Sequence, residues 1–284
     1  QWLQEPTMWR SARQAAALIT PQLIAQDTQF DLISGTSGTI LGLLALLEVD
    51  PDPQILHQAM ACGDHLLHHR VPGQTAGKAW ATVDGQLLSG FSHGAAGIAY
   101  ALLRLAQATG EERYWQAAQE AIDYETTLVK GDNWFDWQPD PASGQMPPVL
   151  TSWCHGAPGI GLGRLGGLES LATPSIRADI ERALRTTREY PLEANDTLCC
   201  GNFGRLDFLL TLAKADQDSE LEQLCRQQVT ERVQRAKREQ GYRLFPDLKG
   251  SLRNPGFLQG MAGIGYQLLR VADPDTFPSV LLWR

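Results

Sequence analysis

The sequence has little of three things that would mark other classes of protein: positive charge, long apolar runs and cysteine. Lys and Arg number 24 against 32 Asp and Glu, so the formal net charge is −8. An acidic chain of this kind is not expected to take nucleic acid or an anionic membrane as its main partner. The longest apolar stretches, such as Ile40–Leu47, are far shorter than the ~18 residues that a membrane span requires, so no span is expected.

The first residues also lack the basic start, apolar core and small-residue cleavage site of a secretory signal. Five cysteines in 284 residues are too few, and odd in number, for a disulfide scaffold. Together these absences predict a cytoplasmic protein with free thiols. Hydrophobic residues make up 43% and charged residues 20% of the chain, as in ordinary globular proteins. No stretch marks a domain boundary, so we predict one domain over residues 1–284.

One pattern recurs five times along the chain: two glycines separated by two residues, followed by an apolar helical run. The first glycines of successive pairs are 59, 62, 45 and 59 residues apart, which leaves room for two helices in each repeat. The pairs are Gly35/Gly38, Gly94/Gly97, Gly156/Gly159, Gly201/Gly204 and Gly260/Gly263. Long loops are predicted between repeats at Val71–Leu88, Gly131–Ser152 and Pro246–Pro255.

The two helices of each repeat differ in polarity. The helix after each glycine pair, such as Ile98–Leu105, is apolar nearly all round, which is typical of a helix buried on all sides. The second helix carries many charges, with apolar residues at three- and four-residue spacing, as in Glu111–Val129, Ile176–Glu189 and Ser219–Glu239. Alternating inner and outer helices predict an all-α fold, an α/α toroid.

The residues just before the glycine pairs include side chains that can bind metal or transfer protons. In a toroid these equivalent positions would face one cavity. They are Asp31, His93, Cys154, His155, Cys199 and Cys200. Three thiolates suit Zn²⁺, which prefers four sulfur or nitrogen ligands in a tetrahedron. The fourth position would be open, or filled by His93 or His155. The alternative is that these cysteines are small buried side chains where helices begin, since free Cys is commonly buried.

Three residues near the predicted cavity have alternative roles that the residues alone leave open. His93 is either an acid/base group beside the metal or a hydrogen-bonded buried histidine. Asp31 is either catalytic or a group that caps a helix or orients a neighbour. His155 would orient the turn at Cys154, line the cavity or take part in the chemistry.

Other cysteines and histidines are predicted to lie outside the site. Cys62 and Cys225 fall in amphipathic outer helices, where packing in the core explains them. Four further histidines cluster near one another and are predicted to lie on a solvated helix face. They are His57, His65, His68 and His69.

The motifs Gly90–Ile98, Ser152–Ile160 and Leu198–Gly204 together resemble the lanthionine synthetase C-like family. The segment Gly256–Trp283 resembles the C-terminal end of class II (LanM-type) bifunctional lanthipeptide synthetases. The resemblance extends over essentially the whole chain. It implies an α/α toroid with a zinc ion at its open end.

The resemblance also implies a reaction. Cys154, Cys199 and Cys200 match the zinc ligands, and a cysteine of a dehydrated precursor peptide would bind as the fourth ligand. Its thiolate would add to dehydroalanine or dehydrobutyrine and form lanthionine or methyllanthionine. The family assigns an acid/base role to the histidine matching His93 and places the aspartate matching Asp31 near the site. The implied partners are the precursor peptide, leader plus core, and an N-terminal dehydratase domain of the same polypeptide.

The chain departs from the commonest family pattern in three ways. Cys199-Cys200 stands where many members have Cys-His, which resembles a three-cysteine subgroup that processes many substrates. The arginine that some members carry shortly before the first zinc cysteine is missing from Pro147–Ser152. The family toroid has more inner helices than five glycine pairs predict, so we expect a C-terminal piece of a larger synthetase.

Two other functions compete with the cyclase. One is a non-catalytic peptide-binding or scaffold module with the same toroid, which the retained thiols and His93 argue against. The other is a glycoside hydrolase, which would need paired carboxylates at the cavity. Asp31 is the only acid among the chemistry-bearing residues before the glycine pairs.

Overall fold

The computed structural model describes residues 6–135, 150–191, 195–245 and 254–283, and within these ranges it contains eleven α-helices. The helices are α1 (Pro6–Ala17), α2 (Pro21–Ala25), α3 (Thr36–Leu47), α4 (Pro53–His68), α5 (Ala95–Thr109), α6 (Glu112–Thr126), α7 (Ala157–Gly166), α8 (Pro174–Glu189), α9 (Asn202–Asp216), α10 (Ser219–Glu239) and α11 (Met261–Ala272). Two minimal antiparallel hairpins pair β1 (Val71–Pro72) with β2 (Lys78–Ala79) and β3 (Val129–Lys130) with β4 (Asn133–Trp134). The all-α prediction is confirmed.

The helices form two layers, as the alternation of polarity predicts. Inner helices α3, α5, α7, α9 and α11 contact one another in chain order. Outer helices α4, α6, α8 and α10 each pack against the inner helix that precedes them. This arrangement confirms the α/α toroid. In the described part of the chain, no helix is both long enough and apolar enough to cross a membrane.

The inner helices form an arc from α3 to α11 in chain order, and the burial of each helix depends on its place in this arc. The three middle helices are buried along most of their length. The expectation that every inner helix is buried on all sides is wrong for α3 and α11. Gly42 and Ala45 are exposed on α3, and Leu269 of α11 is 52% exposed. Within the described residues, each of these two helices packs closely against a single inner neighbour.

The predicted loops are only partly described. Val71–Leu88 holds the β1–β2 hairpin and a short 3₁₀ turn at Val83–Gly85. Within the other two predicted loops, residues 136–149 and 246–253 lie outside the described residues. The segment Pro147–Ser152, which lacks the arginine of some family members, is therefore described only from residue 150 onward.

The glycine pairs do more than precede helices. The first glycine of each pair is the residue that caps the inner helix, so the second lies inside its first turn, earlier than the apolar run predicts. A Cβ on any of the second glycines would lie 1.9–2.0 Å from the carbonyl oxygen six residues earlier. At Gly159 that oxygen belongs to Trp153. Gly156 also has a φ of +95°, where an L side chain is strained. The loop before each inner helix therefore crosses its first turn at a distance that only glycine allows.

We expect Gly159→Ala to lower the free energy of unfolding by about 3 kcal/mol, the upper end of the usual range for overpacking, because the new methyl group would displace backbone rather than a flexible side chain. Gly42→Ala is the matched control. Gly42 lies inside α3, and a Cβ there would meet no atom within 4 Å beyond its own stretch of helix. The substitution should therefore stabilise the protein by about 0.5–1 kcal/mol. Denaturant unfolding would measure both changes. Equal stabilities of the two variants would contradict the close-approach explanation.

A buried ion pair joins α9 to α11, and hydrogen bonds attach the C-terminal segment that follows α11. Asp207 Oδ1 lies 3.0 Å from Arg270 Nη1, and Ser279 donates a hydrogen bond to Asp207 Oδ2. Burial raises the pKa of Asp207 in spite of the arginine. Further along this segment, the carbonyl of Leu282 accepts a hydrogen bond from Tyr100 Oη at 2.8 Å. The segment is thereby tied to the inner helices.

Candidate active site

A ladder of backbone hydrogen bonds joins the five loops that precede the inner helices. Leu32 N donates to Ser92 O (3.1 Å), and Ser92 N donates to Cys154 O (3.4 Å). Cys154 N then donates to Cys199 O (3.3 Å), and Cys199 N to Leu258 O (2.9 Å). Each bond connects one loop to the next in chain order. The ladder brings the predicted site residues to the same end of the arc.

Three thiols meet at this end. The Sγ atoms of Cys154, Cys199 and Cys200 all lie within 4.8 Å of one another, and they form the one candidate metal-binding group among the described residues. Cys200 Sγ is 3.4 Å from Cys154 Sγ and 3.3 Å from Cys199 Sγ. None of the three is in a disulfide. The predicted convergence of the three cysteines is confirmed. Cys62 and Cys225 are buried in α4 and α10, as packing predicts.

The three thiols compete for their protons. Hydrogen bonds from Cys154 and Cys199 lower the pKa of Cys200 to about 3, against the cost of burial. Hydrogen bonds to Cys154 and Cys200, with burial, raise the pKa of Cys199. One negative charge therefore suppresses ionisation nearby. A divalent cation would offset the repulsion between neighbouring thiolates, since it stabilises several thiolates at once.

The geometry fits zinc. Zn–S bonds of about 2.3 Å in a tetrahedron put the sulfur atoms about 3.8 Å apart. The observed separations of 3.3 and 3.4 Å differ from this by a few tenths of an ångström, which side-chain rotation can supply. Cys154 is buried, Cys199 is half-buried and Cys200 is exposed. The exposed side of the cluster leaves room for a fourth ligand from outside.

Asp31 and His93 form a hydrogen-bonded pair in the first two loops. His93 Nδ1 lies 2.7 Å from Asp31 Oδ2. The other oxygen, Oδ1, accepts bonds from the backbone N–H groups of Ile33 (2.9 Å) and Ser34 (2.7 Å). Asp31 is fully buried, whereas the His93 side chain is 28% exposed. The carboxylate thus caps its own turn and also orients the imidazole, as the non-catalytic alternative predicts. A catalytic role for Asp31 stays a prediction. With the ring proton held at Nδ1, Nε2 is left for proton exchange.

His155 lies near both this pair and the thiols. Its ring centroid is 6.0 Å from that of His93, and its electrostatic interaction with Cys200 contributes to the lowered pKa of that thiol. Gln259 is a residue to which sequence reasoning gave no role, although its side chain contributes to the lowered pKa of Cys200. The repeat register contained the signal: Gln259 precedes its first glycine directly, as His93, His155 and Cys200 precede theirs.

The second group of histidines lies along α4 and at its C-terminal end, and it does not form a candidate metal-binding group within the described residues. His57, His68 and His69 are exposed, as a solvated helix face predicts. His65 differs, because it is half-buried and its Nε2 lies 2.9 Å from the carbonyl oxygen of Asp27. His65 and His69, whose rings also contact Phe30, thereby attach the segment before Asp31 to α4.

Comparisons with known proteins agree with this picture. The solved structure of nisin cyclase is similar with a TM-score of 0.67 at 18% identity, covering 90% of this chain and 67% of that one. A glycoside hydrolase family 76 mannosidase from Bacteroides thetaiotaomicron is similar with a TM-score of 0.53 at 14% identity, covering 84% of this chain and 70% of that one. At these identities the likeness shows the fold alone. A comparison with curated proteins gives no match.

The family comparison goes further than the fold. A family model described as lanthionine synthetase C-like protein matches residues 4–282. The match spans every inner helix and all three thiols of the cluster. The chain therefore belongs to the lanthionine synthetase C-like protein family.

Proposed function

We propose that the chain is a zinc-dependent peptide cyclase. It joins a cysteine thiol of a dehydrated precursor peptide to a dehydroalanine or dehydrobutyrine and forms a lanthionine or methyllanthionine thioether. The observation that carries the proposal is the cluster of three thiols within 4.8 Å in a member of this family. The similarity to nisin cyclase supports a precursor peptide as substrate.

Cys154, Cys199 and Cys200 would hold the zinc ion, with the fourth position left for the peptide thiol. When bound, zinc lowers the pKa of a coordinated thiol, so that a thiolate nucleophile exists at neutral pH. The chain's own contribution is to place this centre beside a proton donor. Zinc is the cofactor that this donor set fits best, since soft thiolates select it over magnesium or calcium.

His93 is proposed to supply the proton that completes the addition. When the carbon–sulfur bond forms, the carbon–carbon double bond breaks and its electron pair becomes an enolate on the peptide. The imidazolium of His93 donates a proton to the α-carbon of the former alkene, the carbon that did not receive the sulfur. The resulting imidazole later takes up the proton that the peptide thiol released. Asp31 holds the ring through Nδ1, so that Nε2 makes both transfers.

A cyclisation assay tests the proposal directly. Ring formation leaves the peptide mass unchanged but removes a free thiol, so thiol alkylation followed by mass spectrometry counts the rings. We expect the purified zinc-loaded protein to convert a dehydrated peptide faster than buffer alone. A rate equal to that of buffer, from folded and zinc-loaded protein, would favour the peptide-binding or scaffold module.

We expect Cys200→His to cyclise the same peptide more slowly. Three thiolates on a divalent ion carry one net negative charge, and a neutral imidazole would remove it. The coordinated peptide thiolate should then be a weaker nucleophile. Single-turnover rates would be compared at equal zinc content, measured for both proteins. Faster cyclisation by the variant would contradict this charge argument.

The glycoside hydrolase alternative is not supported by the site. That chemistry needs two carboxylates flanking the bond. In the described loops before the inner helices, Asp31 is the carboxylate beside His93, and both of its oxygens are engaged. The shared fold with a mannosidase does not bring its chemistry.

We infer two further points that do not rest on the site, the first from the resemblance and the second from the sequence composition. The chain would act as the single cyclase domain, residues 1–284, of a class II synthetase whose N-terminal dehydratase domain prepares the peptide. It would act in the cytoplasm, where its thiols stay reduced. Sequencing the complete reading frame tests the first point, and fractionation of the producing cells tests the second.

A further inference from the structure

Asp196 and Arg235 take no part in the proposed chemistry, yet they lie next to the loop that carries two of the three thiols. Asp196 precedes Cys199 by three residues and is fully buried (0% exposed). Its Oδ2 forms an ion pair with the guanidinium of Arg235 on outer helix α10. A buried carboxylate with such a partner costs free energy to desolvate, so its presence calls for an explanation.

The first contacts of Asp196 close the loop at its base. Asp196 Oδ1 accepts a hydrogen bond from Asn202 Nδ2 at 3.2 Å, and Asn202 N donates to the carbonyl of Asn195 at 2.8 Å. Asn195–Asp196 and Asn202 lie on opposite sides of Cys199 and Cys200 in the sequence. The two bonds therefore fix the distance that the cysteine-bearing segment must span.

Further contacts tie the closed loop to α10 and the chain that follows it. Asp196 N donates to the carbonyl of Arg243 at 2.7 Å, and Arg243 N donates back to Asp196 Oδ2 at 2.9 Å. Together with the ion pair to Arg235, these bonds attach the loop to the outer layer. On its other side, Cys199 N is bonded to the fifth loop through Leu258 O. The position of the two thiols is thus fixed from both sides.

The toroid itself does not require a charge at this place. Asp196 lies five residues before the first glycine of its pair, and the residues at the same distance in the other repeats are uncharged. They are Phe30, Ser89, Thr151 and Pro255. The buried ion pair is thus peculiar to the loop that supplies two adjacent thiols.

We propose that Asp196 and Arg235 are positioning residues of the thiol centre. Their ion pair holds the Cys199–Cys200 loop so that both sulfur atoms can meet one zinc ion together with Cys154. This inference rests on the proposed zinc site and adds the groups that set its affinity. Partners of this kind, one step removed from metal ligands, typically change metal affinity by about 10- to 100-fold when they are mutated.

The test is zinc affinity, measured by competition with a chromophoric chelator. We expect Asp196→Asn and Arg235→Gln each to bind zinc about 10- to 100-fold more weakly than wild type, with partial recovery in Arg235→Lys. The cobalt(II) form should show an altered thiolate absorption spectrum in the first two variants. A purely structural ion pair would not change that spectrum.

Asp207→Asn is the matched control, since Asp207 is an equally buried carboxylate paired with an arginine and Ser279. It should lower the melting temperature and leave zinc affinity unchanged. If Asp196→Asn does not fold, Arg235→Lys against Asp207→Asn carries the comparison. Equal zinc affinities in all variants and wild type would overturn this inference alone. A wild-type protein that binds no zinc would overturn the proposed function as well.

Discussion

Replacing Cys199 with alanine should remove zinc from the protein and abolish cyclisation. Wild type should contain roughly one zinc per chain, because three thiolates and one further ligand make a tetrahedral site. With Cys199 lost, Cys154 and Cys200 remain as a two-ligand site, which is too few for tight binding. Elemental analysis of the purified proteins measures the metal, and thiol alkylation of the peptide measures the activity.

The controls for this experiment lie in the same chain. Cys225→Ala removes a cysteine thiol from a fully buried position in α10, outside the cluster. It should keep its zinc and its activity, with only the stability cost of a lost core side chain. Equal zinc in Cys199→Ala and wild type would contradict the proposed ligand set.

His93→Asn should lower the cyclisation rate by about 100- to 10,000-fold while leaving zinc in place, the usual range for loss of a general acid or base. The asparagine amide can still donate to Asp31 Oδ2, so the buried carboxylate keeps a partner. What the variant loses is a group that exchanges protons near neutral pH. Single-turnover cyclisation and elemental analysis of the same preparation separate the two properties.

An exposed histidine provides the comparison for that variant. His57→Asn changes a solvent-exposed position on outer helix α4 and should keep the wild-type rate. A His93→Asn rate within a few-fold of wild type would show that the proton comes from another group. The cyclisation rate of Asp31→Asn should lie between those of His93→Asn and His57→Asn, because it disturbs the orientation of His93 without removing the imidazole.

Local sequence patterns determined the architecture of this protein. The polarity of each helix decides whether it lies inside or outside, since a helix that is apolar nearly all round, such as α7, must be covered on every side. The glycine pairs decided where each inner helix begins, and they marked the positions just before it. Equivalent positions in a repeat point to the same place in space, so the meeting of Cys154, Cys199 and Cys200 could be predicted from their register.

Tertiary structure decided what no local pattern records. The hydrogen bond between Asp31 and His93 joins residues 62 positions apart, and the Asp196–Arg235 pair joins a loop to an outer helix. Such contacts depend on how loops of different repeats are placed, and many sequence positions could satisfy the same local pattern. The exposed faces of α3 and α11 likewise follow from their place at the ends of the arc. Periodicity reports that a helix has an apolar face, whereas only the packed structure shows whether a neighbour covers it.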